Sequence, residues 1–405
     1  MPEGYRRLAA LLGALTALGP LGVDMYLPAF PAIGADLAAT PGAVQRTLAA
    51  FLFGMAAGQL VVGPFSDRHG RRLPIFGGLA VFAAASLGCA LASSVEALAW
   101  LRLVQALGGC AGMVVARAVV RDICDERGSV RMMATLMLVM GAAPILAPML
   151  GGSLLSLFGW RAIFWVLAGY GLAALVLIWL TLPESLPPEQ RRRDGPGAIV
   201  VVYARILRDR RFLAHALAGA VPMLGLFAYL VGSPHVLMGR HGLGPVEYGF
   251  AFGSNAFGLI AASQVIARLV RRIEPARLLL GALGVGAVAG LLVPVAVATG
   301  ALWPLLAALF LYISVLGAVM PMASALAMMP LGRVAGSASA VIGTMQFGGG
   351  AVVGLVLGAL DPGSPISRVW SSRCPRRPRI RRGCWSRRSA ATIPCCSSTP
   401  RTSSR

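Results

Sequence analysis

The sequence of 405 residues contains no lysine, and only 13% of its residues are charged. A soluble globular chain carries about 25% charge, because polar groups must meet water over its whole surface. Here 57% of residues are hydrophobic and too little charge is left to cover a sphere, which excludes a soluble enzyme, a disordered chain and a disulfide-knit secreted module. Four of the 7 cysteines fall within residues 366–405, and Cys89, Cys110 and Cys124 are scattered. His69, His215, His235 and His241 show no ligand spacing either, so neither a metal site nor a disulfide framework is expected. No P-loop occurs, so no ATP-driven chemistry is expected in this chain, and no nucleophile–base pair marks a membrane enzyme. The net charge of +21 is carried entirely by arginine. Those arginines cluster between apolar runs rather than along one face, which fits loops held on the cytoplasmic side of a membrane and not a nucleic-acid partner.

What remains is apolar sequence in long runs. About 20 apolar residues span the hydrocarbon as helix. Eleven runs qualify: 8–30, 44–65, 73–93, 96–120, 132–157, 162–182, 212–237, 247–270, 277–298, 301–330 and 335–360. They are long and continuous, so they predict helices rather than barrel strands, which would be about ten residues and alternating. Glycines such as Gly348, Gly349 and Gly350 suit close helix packing. The first run is too long for a cleaved signal peptide and contains Pro20 and Asp24.

Arginine counting places the N-terminus in the cytoplasm. On that side fall Arg6, Arg7, Arg68, Arg71, Arg72, Arg121, Arg127, Arg131, the group from Arg191 to Arg211, Arg271, Arg272, Arg277 and Arg333. The other side has Arg161 and Arg240, with Arg46 near a helix start. The polar interval 184–211 separates six runs (1–183) from five (212–360), so it reads as a central cytoplasmic linker between two halves. Residues 361–405 form a basic tail of another character. From 366 onward they hold 11 Arg, 9 Ser, 4 Pro and 4 Cys, with no acid and no twelfth run. A shifted reading frame in GC-rich DNA gives such a mixture, and a genuine tail that binds anionic lipid is the alternative.

Three features carry chemistry. An acid inside an apolar span costs about 2.5–3.5 kcal/mol on insertion scales, so Asp24 is expected to face a cavity or a partner. Burial disfavours the charged form of a carboxyl, which would let it load and release a proton near neutral pH. Arg102, with Gln105 a turn away, lies at an equal depth of roughly 10 Å along its own run, so a pair or a water-linked relay with Asp24 is feasible. The second feature is the loop Gly63-Pro64-Phe65-Ser66-Asp67-Arg68-His69-Gly70-Arg71-Arg72. Its Gly70 suits a tight turn, and its cations hold the loop in the cytoplasm around one odd acid, Asp67. The third is the fifth run, where Pro144, Pro148, Gly151 and Gly152 interrupt the helix ladder and permit tight packing. Tyr26, Gln59, Gln105, Asn255 and Gln346 are further polar groups within spans and candidates for lining a cavity.

Asp24-Met25-Tyr26-Leu27-Pro28-Ala29, the spacing Gly63-x-x-x-Asp67-Arg68-x-Gly70-Arg71-Arg72, Arg102-x-x-Gln105, Ala147-Pro148-x-x-Gly151-Gly152, Trp160-Arg161-x-x-Phe164 and Pro183-Glu184-Ser185-Leu186 follow in this order. The set resembles the Bcr/CflA-type drug-resistance transporters of the major facilitator superfamily over about 1–360. The resemblance implies an all-α polytopic protein of two six-helix halves, its twelfth helix lost here in the aberrant tail. It implies a monomer of the bacterial inner membrane with no cofactor, which uses the proton gradient to export bicyclomycin, chloramphenicol-type or sulfonamide-type compounds. It implies that Asp67 latches onto a helix N-terminus of the other half, here near Ala335, and that the Gly/Pro-rich fifth helix is of the antiporter type. A metabolite or amino-acid exporter of the same superfamily, or an inactive remnant, stays open at this point.

Overall fold

The computed structural model describes residues 3–123, 126–191, 196–270 and 272–360, and the tail with its proposed frame change lies outside them. Every one of the eleven runs is helical. The N-terminal half comprises α1 (Glu3–Asp24), a short α2 (Phe30–Asp36), α3 (Pro41–His69), α4 (Arg72–Ala90), α5 (Val95–Ile123), α6 (Glu126–Phe158) and α7 (Arg161–Thr181). After the linker helix α8 (Pro196–Arg208) come α9 (Arg210–Ser233), α10 (Pro245–Leu269), α11 (Pro275–Thr299), α12 (Leu302–Met328) and α13 (Ala335–Leu360). Among the described residues, ten helices are long and apolar enough to cross a membrane, and Ala142–Phe158 is the apolar part of α6. Large apolar side chains such as Leu280, Leu291, Val295 and Leu180 point outward, as a lipid solvent requires.

Two runs depart from the expected single helix. The first breaks directly after Asp24, continues as a 3-10 turn over Leu27–Ala29 and resumes as α2. Pro28 is the cause, since it has no N–H for the Asp24 carbonyl and its ring clashes there. The seventh run ends its α-geometry at Ser233 and goes on as a π-helical segment, Pro234–Arg240. The expected linker 184–211 contains α8, whose Ile206 is buried against Phe212, Val341 and Ile342 of the C-terminal half. The Tyr203 hydroxyl of α8 donates to the Leu60 carbonyl of α3 at 3.2 Å, so α8 touches both halves.

The halves meet through two helix pairs, α3 along α13 and α6 along α10. Each pair joins the second membrane helix of one half to the fifth of the other, which is the signature of a pseudo-two-fold arrangement. Along α3 and α13 the backbones approach closely. A Cβ on Gly358 would lie 2.8 Å from the Gly42 carbonyl oxygen, and one on Gly354 would lie 2.9 Å from the Ala49 Cβ. Thr344 Oγ1 donates to the Ala56 carbonyl at 3.1 Å. From Gly42 to Gln59, which abuts Gly343, this seam covers about 25 Å of helix. Toward the arginine-poor end the halves touch in both pairs, at Gly42 with Gly358 and at Gly152 with Pro245.

Candidate functional site

Three constellations bring the sequence candidates together. The first surrounds Arg102, which is fully buried in the N-terminal half. Its Nη2 donates to the Gly22 carbonyl at 2.8 Å and its Nη1 to Gln105 Oε1 at 2.6 Å, while Gln105 Nε2 donates to Ser86 Oγ at 2.7 Å. The guanidinium lies over three aromatic faces, Phe51 at 4.1 Å, Tyr26 at 4.4 Å and Phe164 at 5.7 Å. Tyr26 is locked in turn by a 2.6 Å hydrogen bond with Thr47. Tyr26 and Gln105 are therefore interior struts around a cation and border no open space in this conformation. Among the described residues, Arg102 Nε has no hydrogen-bond partner.

Asp24 is the last residue of α1 and is buried, with 5% of its surface exposed. Among the described residues no donor or cation bonds its carboxyl. The expected Asp24–Arg102 pair is not formed in this state, because Arg102 turns to the Gly22 carbonyl and Gln105 instead. An ionised carboxylate at this place sits at the unfavourable end of the α1 dipole with no counter-ion. Such a group is suited to holding a proton.

The second constellation is the loop between α3 and α4. Gly70 has φ +92°, a backbone conformation that favours glycine, and a Cβ there would press on the Glu184 carboxylate. Arg71 is 2% exposed and acts as the hub. Its Nη1 contacts Asp67 at 2.5 Å and Ser66 Oγ at 2.9 Å, and its Nε contacts Asp122 at 2.7 Å. Glu184, arriving after α7, accepts the backbone N–H groups of Arg71 at 2.8 Å and Arg72 at 3.2 Å. Arg72 Nη2 reaches the Trp179 carbonyl at 3.0 Å, whereas Arg68 is exposed and Gly63 accepts from Ser66. Burial alone would raise the Glu184 pKa, but the N–H donors of Arg71, Leu186 and Arg72, with Arg191 nearby, outweigh it and hold the pKa below the usual value. The loop acid Asp67 is thus engaged by its own loop. The side chains at the start of α13, its expected receiver, lie outside the described residues. Asp122 was not singled out in the sequence, and Glu184 entered only within the motif Pro183-Glu184-Ser185-Leu186, with no role assigned to it. Their signal was an acid at the edge of an apolar run, opposite an arginine-rich loop.

The third constellation is the fifth membrane helix, α6, which carries Pro144 and the buried Pro148. A Cβ on Gly151 would strike the Met25 carbonyl, and one on Gly152 would lie 2.5 Å from the Pro245 carbonyl oxygen. One glycine thus receives the N-terminal half and its neighbour receives the C-terminal half. Gly249 of α10 adds a 3.0 Å approach of its own Cβ position to the Pro148 carbonyl.

The remaining candidates are dispersed. Gln59 faces Gly343 across the seam, Asn255 Nδ2 bonds the Tyr229 hydroxyl at 2.9 Å, and Gln346 is half-buried. Phe227 and Phe347 pack on each other at 5.9 Å. Trp100 and Trp303 are exposed near the arginine-poor end, as interface anchors are. Trp160 is buried instead, because its Nε1 donates to Asp36, which also pairs with Arg161 at 2.5 Å.

Two pseudo-symmetric helical halves, an acid buried in a broken first helix and a charged loop at one end define a polytopic transporter of small molecules rather than an enzyme. Residues 12–354 match the family model described as Major Facilitator Superfamily, and the chain belongs to that superfamily. It is 38% identical over 362 residues to the MFS-type transporter YdgK of Bacillus subtilis, which covers 88% of this chain and 90% of that protein. A bicyclomycin resistance protein homolog of Haemophilus influenzae is 32% identical over 358 residues, again 88% of this chain and 90% of the relative. In fold the chain is similar to an inward-facing bacterial homolog of the human lysosomal transporter Spinster, with a TM-score of 0.70 over 89% of this chain and 83% of that one, at 17% identity.

Proposed function

We propose that this chain exports small drug-like molecules of the bicyclomycin, chloramphenicol or sulfonamide type across the bacterial inner membrane in exchange for protons, as a monomer with its N-terminus in the cytoplasm. The observation that carries the reading is Asp24. It is the acid buried within a described span, it has no counter-ion among the described residues, and it sits at the break that Pro28 makes. The resistance-protein names of the relatives support the substrate class. In this reading the arginine-poor end is the outside, and the halves are closed there so that substrate enters from the cytoplasm. Arg102 compensates Asp24 when the halves move. The Asp67–Arg71–Asp122 network with Glu184 keeps the loop shaped as a latch for the opposite state, with α13 as the receiver.

The test is accumulation of a chloramphenicol-type drug and a sulfonamide in cells expressing the chain, with and without a protonophore. Accumulation below that of vector cells, restored by the protonophore, is expected. Asp24→Asn is expected to abolish the difference while the protein remains in the membrane, and unchanged export by that variant would sink the assignment.

A further inference from the structure

Helix α8 is short, yet it carries large apolar side chains around most of its circumference. Val202, Tyr203 and Ile206 turn toward the protein, and Ile206 is fully buried with Phe212, Val341 and Ile342. On the outward side Val200 is 65% and Leu207 48% exposed, and Val201 is exposed beside them. Arg205 and Arg208 lie one turn apart on that side, and Arg210 and Arg211 open α9 directly after them, all four exposed. The one acid in residues 196–211 is Asp209. It is spent on the backbone, where it accepts the N–H groups of Arg211 at 2.9 Å and Phe212 at 3.2 Å. Among the described residues, no carboxylate pairs with any of the four guanidinium groups.

The place of α8 in the fold decides what meets this surface. Tyr203 reaches the Leu60 carbonyl of α3 about 13 Å short of the His69 end of that helix. Leu60 shares a helix face with Phe53, seven residues earlier, and has Val61 beside it, and both of these are exposed. Across the helix from that face, Leu52, Gln59 and Ser66 are buried. Large apolar side chains left exposed on a spanning helix mark its lipid side. On α9 the exposed Leu217 and Val221 carry the same belt to within two turns of Arg210. Helix α8 therefore crosses the lipid-facing edge of the α3–α13 seam, where hydrocarbon gives way to headgroups.

A helix with an apolar flank and cations beside it lies in that boundary plane, and anionic lipid strengthens its hold. The planar fork of an arginine matches the oxygens of a phosphate. A soluble anion would satisfy the arginines and leave Val200, Val201 and Leu207 in water. A phospholipid covers both kinds of group at once.

We propose that α8 and the first turn of α9 form a docking surface for anionic phospholipid in the leaflet at the arginine-rich end. Arg205, Arg208, Arg210 and Arg211 hold the phosphates, and Val200 and Leu207 enter the acyl boundary. Through Tyr203 and Ile206 the docked headgroups are tied to both halves of the molecule.

The test is native mass spectrometry of the full chain in a neutral detergent, titrated with phosphatidylglycerol or with phosphatidylcholine. The parent is expected to hold phosphatidylglycerol more tightly, by about fivefold or more. Arg205→Gln with Arg208→Gln is expected to remove most of that preference. Removing equal charge from the next loop at the same end, Arg268→Gln with Arg272→Gln, is expected to leave it. Equal losses in the two double variants, or no loss in the first, overturn the proposal, because the attraction would then belong to the charge of the whole end. Val200→Ser with Leu207→Ser keeps every charge and is expected to weaken phosphatidylglycerol binding by about threefold or more. Unchanged binding there would assign the arginines to soluble anions and overturn the lipid assignment. All six positions are exposed, so the variants are expected to insert as the parent does, and each single substitution is read in the same way if a double does not.

Discussion

Arg71 and Glu184 divide the work of the loop between side chain and backbone. Arg71 neutralises Asp67 and Asp122 from a position closed to water, so removing it strands the largely buried Asp122 without its cation. Breaking one partner of a buried ion pair costs about 3–5 kcal/mol. Arg71→Ala is therefore expected to lower the thermal unfolding temperature in detergent markedly, whereas Arg68→Ala, at an exposed position, should leave it within a degree or two. Glu184 makes a pH-dependent contribution of definite sign. Its folded pKa lies below the unfolded value, so its stabilisation is complete above the ordinary glutamate range and is lost as pH falls through the folded pKa. Unfolding temperature measured from pH 7 down to pH 3 should fall more steeply in the parent than in Glu184→Gln, which has no such charge to lose. Asp24, Arg102 and Arg71 were all legible in the sequence, because charge in an apolar setting is conspicuous. Their partners were not. Whether Arg102 meets a carboxylate, a carbonyl or an aromatic face depends on how α1, α3 and α7 surround α5, and one-dimensional depth cannot say.

The elements were almost wholly readable, since length and apolarity alone mark a membrane helix. Two exceptions have the same origin. The breaks after Asp24 and Ser233 both fall where a proline removes a backbone donor, Pro28 and Pro234, and the average hydropathy of a run does not register one missing hydrogen bond. Helix α8 was hidden for a different reason. It is short and flanked by arginines, and its apolar positions Ile199, Val202, Tyr203 and Ile206 follow helical spacing inside a stretch that reads as linker. At this scale the sharpest test concerns α6. Valine at Gly151 would force Met25 and the end of α1 away, and valine at Gly152 would do the same to the start of α10. Overpacking of this kind costs about 1–3 kcal/mol. Each variant is expected to lose export at least tenfold and to gain thiol labelling of a cysteine placed at Met25 or Pro245, compared with the same cysteine in the parent background.

For the molecule as a whole, transport requires the α3–α13 seam to open. The Cβ positions of Gly348 and Ala56 are 3.7 Å apart across it, within the range a disulfide spans. The double variant Ala56→Cys, Gly348→Cys is expected to stop exporting on oxidation and to recover on reduction, with each single variant unaffected by either treatment. Export that persists in the oxidised, cross-linked form would show that the halves need not separate along this seam.

The aromatic box around Arg102 also bears on the order in which the chain is made. A bare arginine inside the bilayer is costly, and the ribosome delivers α5 before α7. Of the three faces over the guanidinium, Tyr26 and Phe51 belong to segments already in the membrane when Arg102 arrives, as does the Gly22 carbonyl. Only Phe164 comes later. The cation is thus received during synthesis by a half-built shelter, which a circular permutant starting at α4 would not offer until its last helices had emerged.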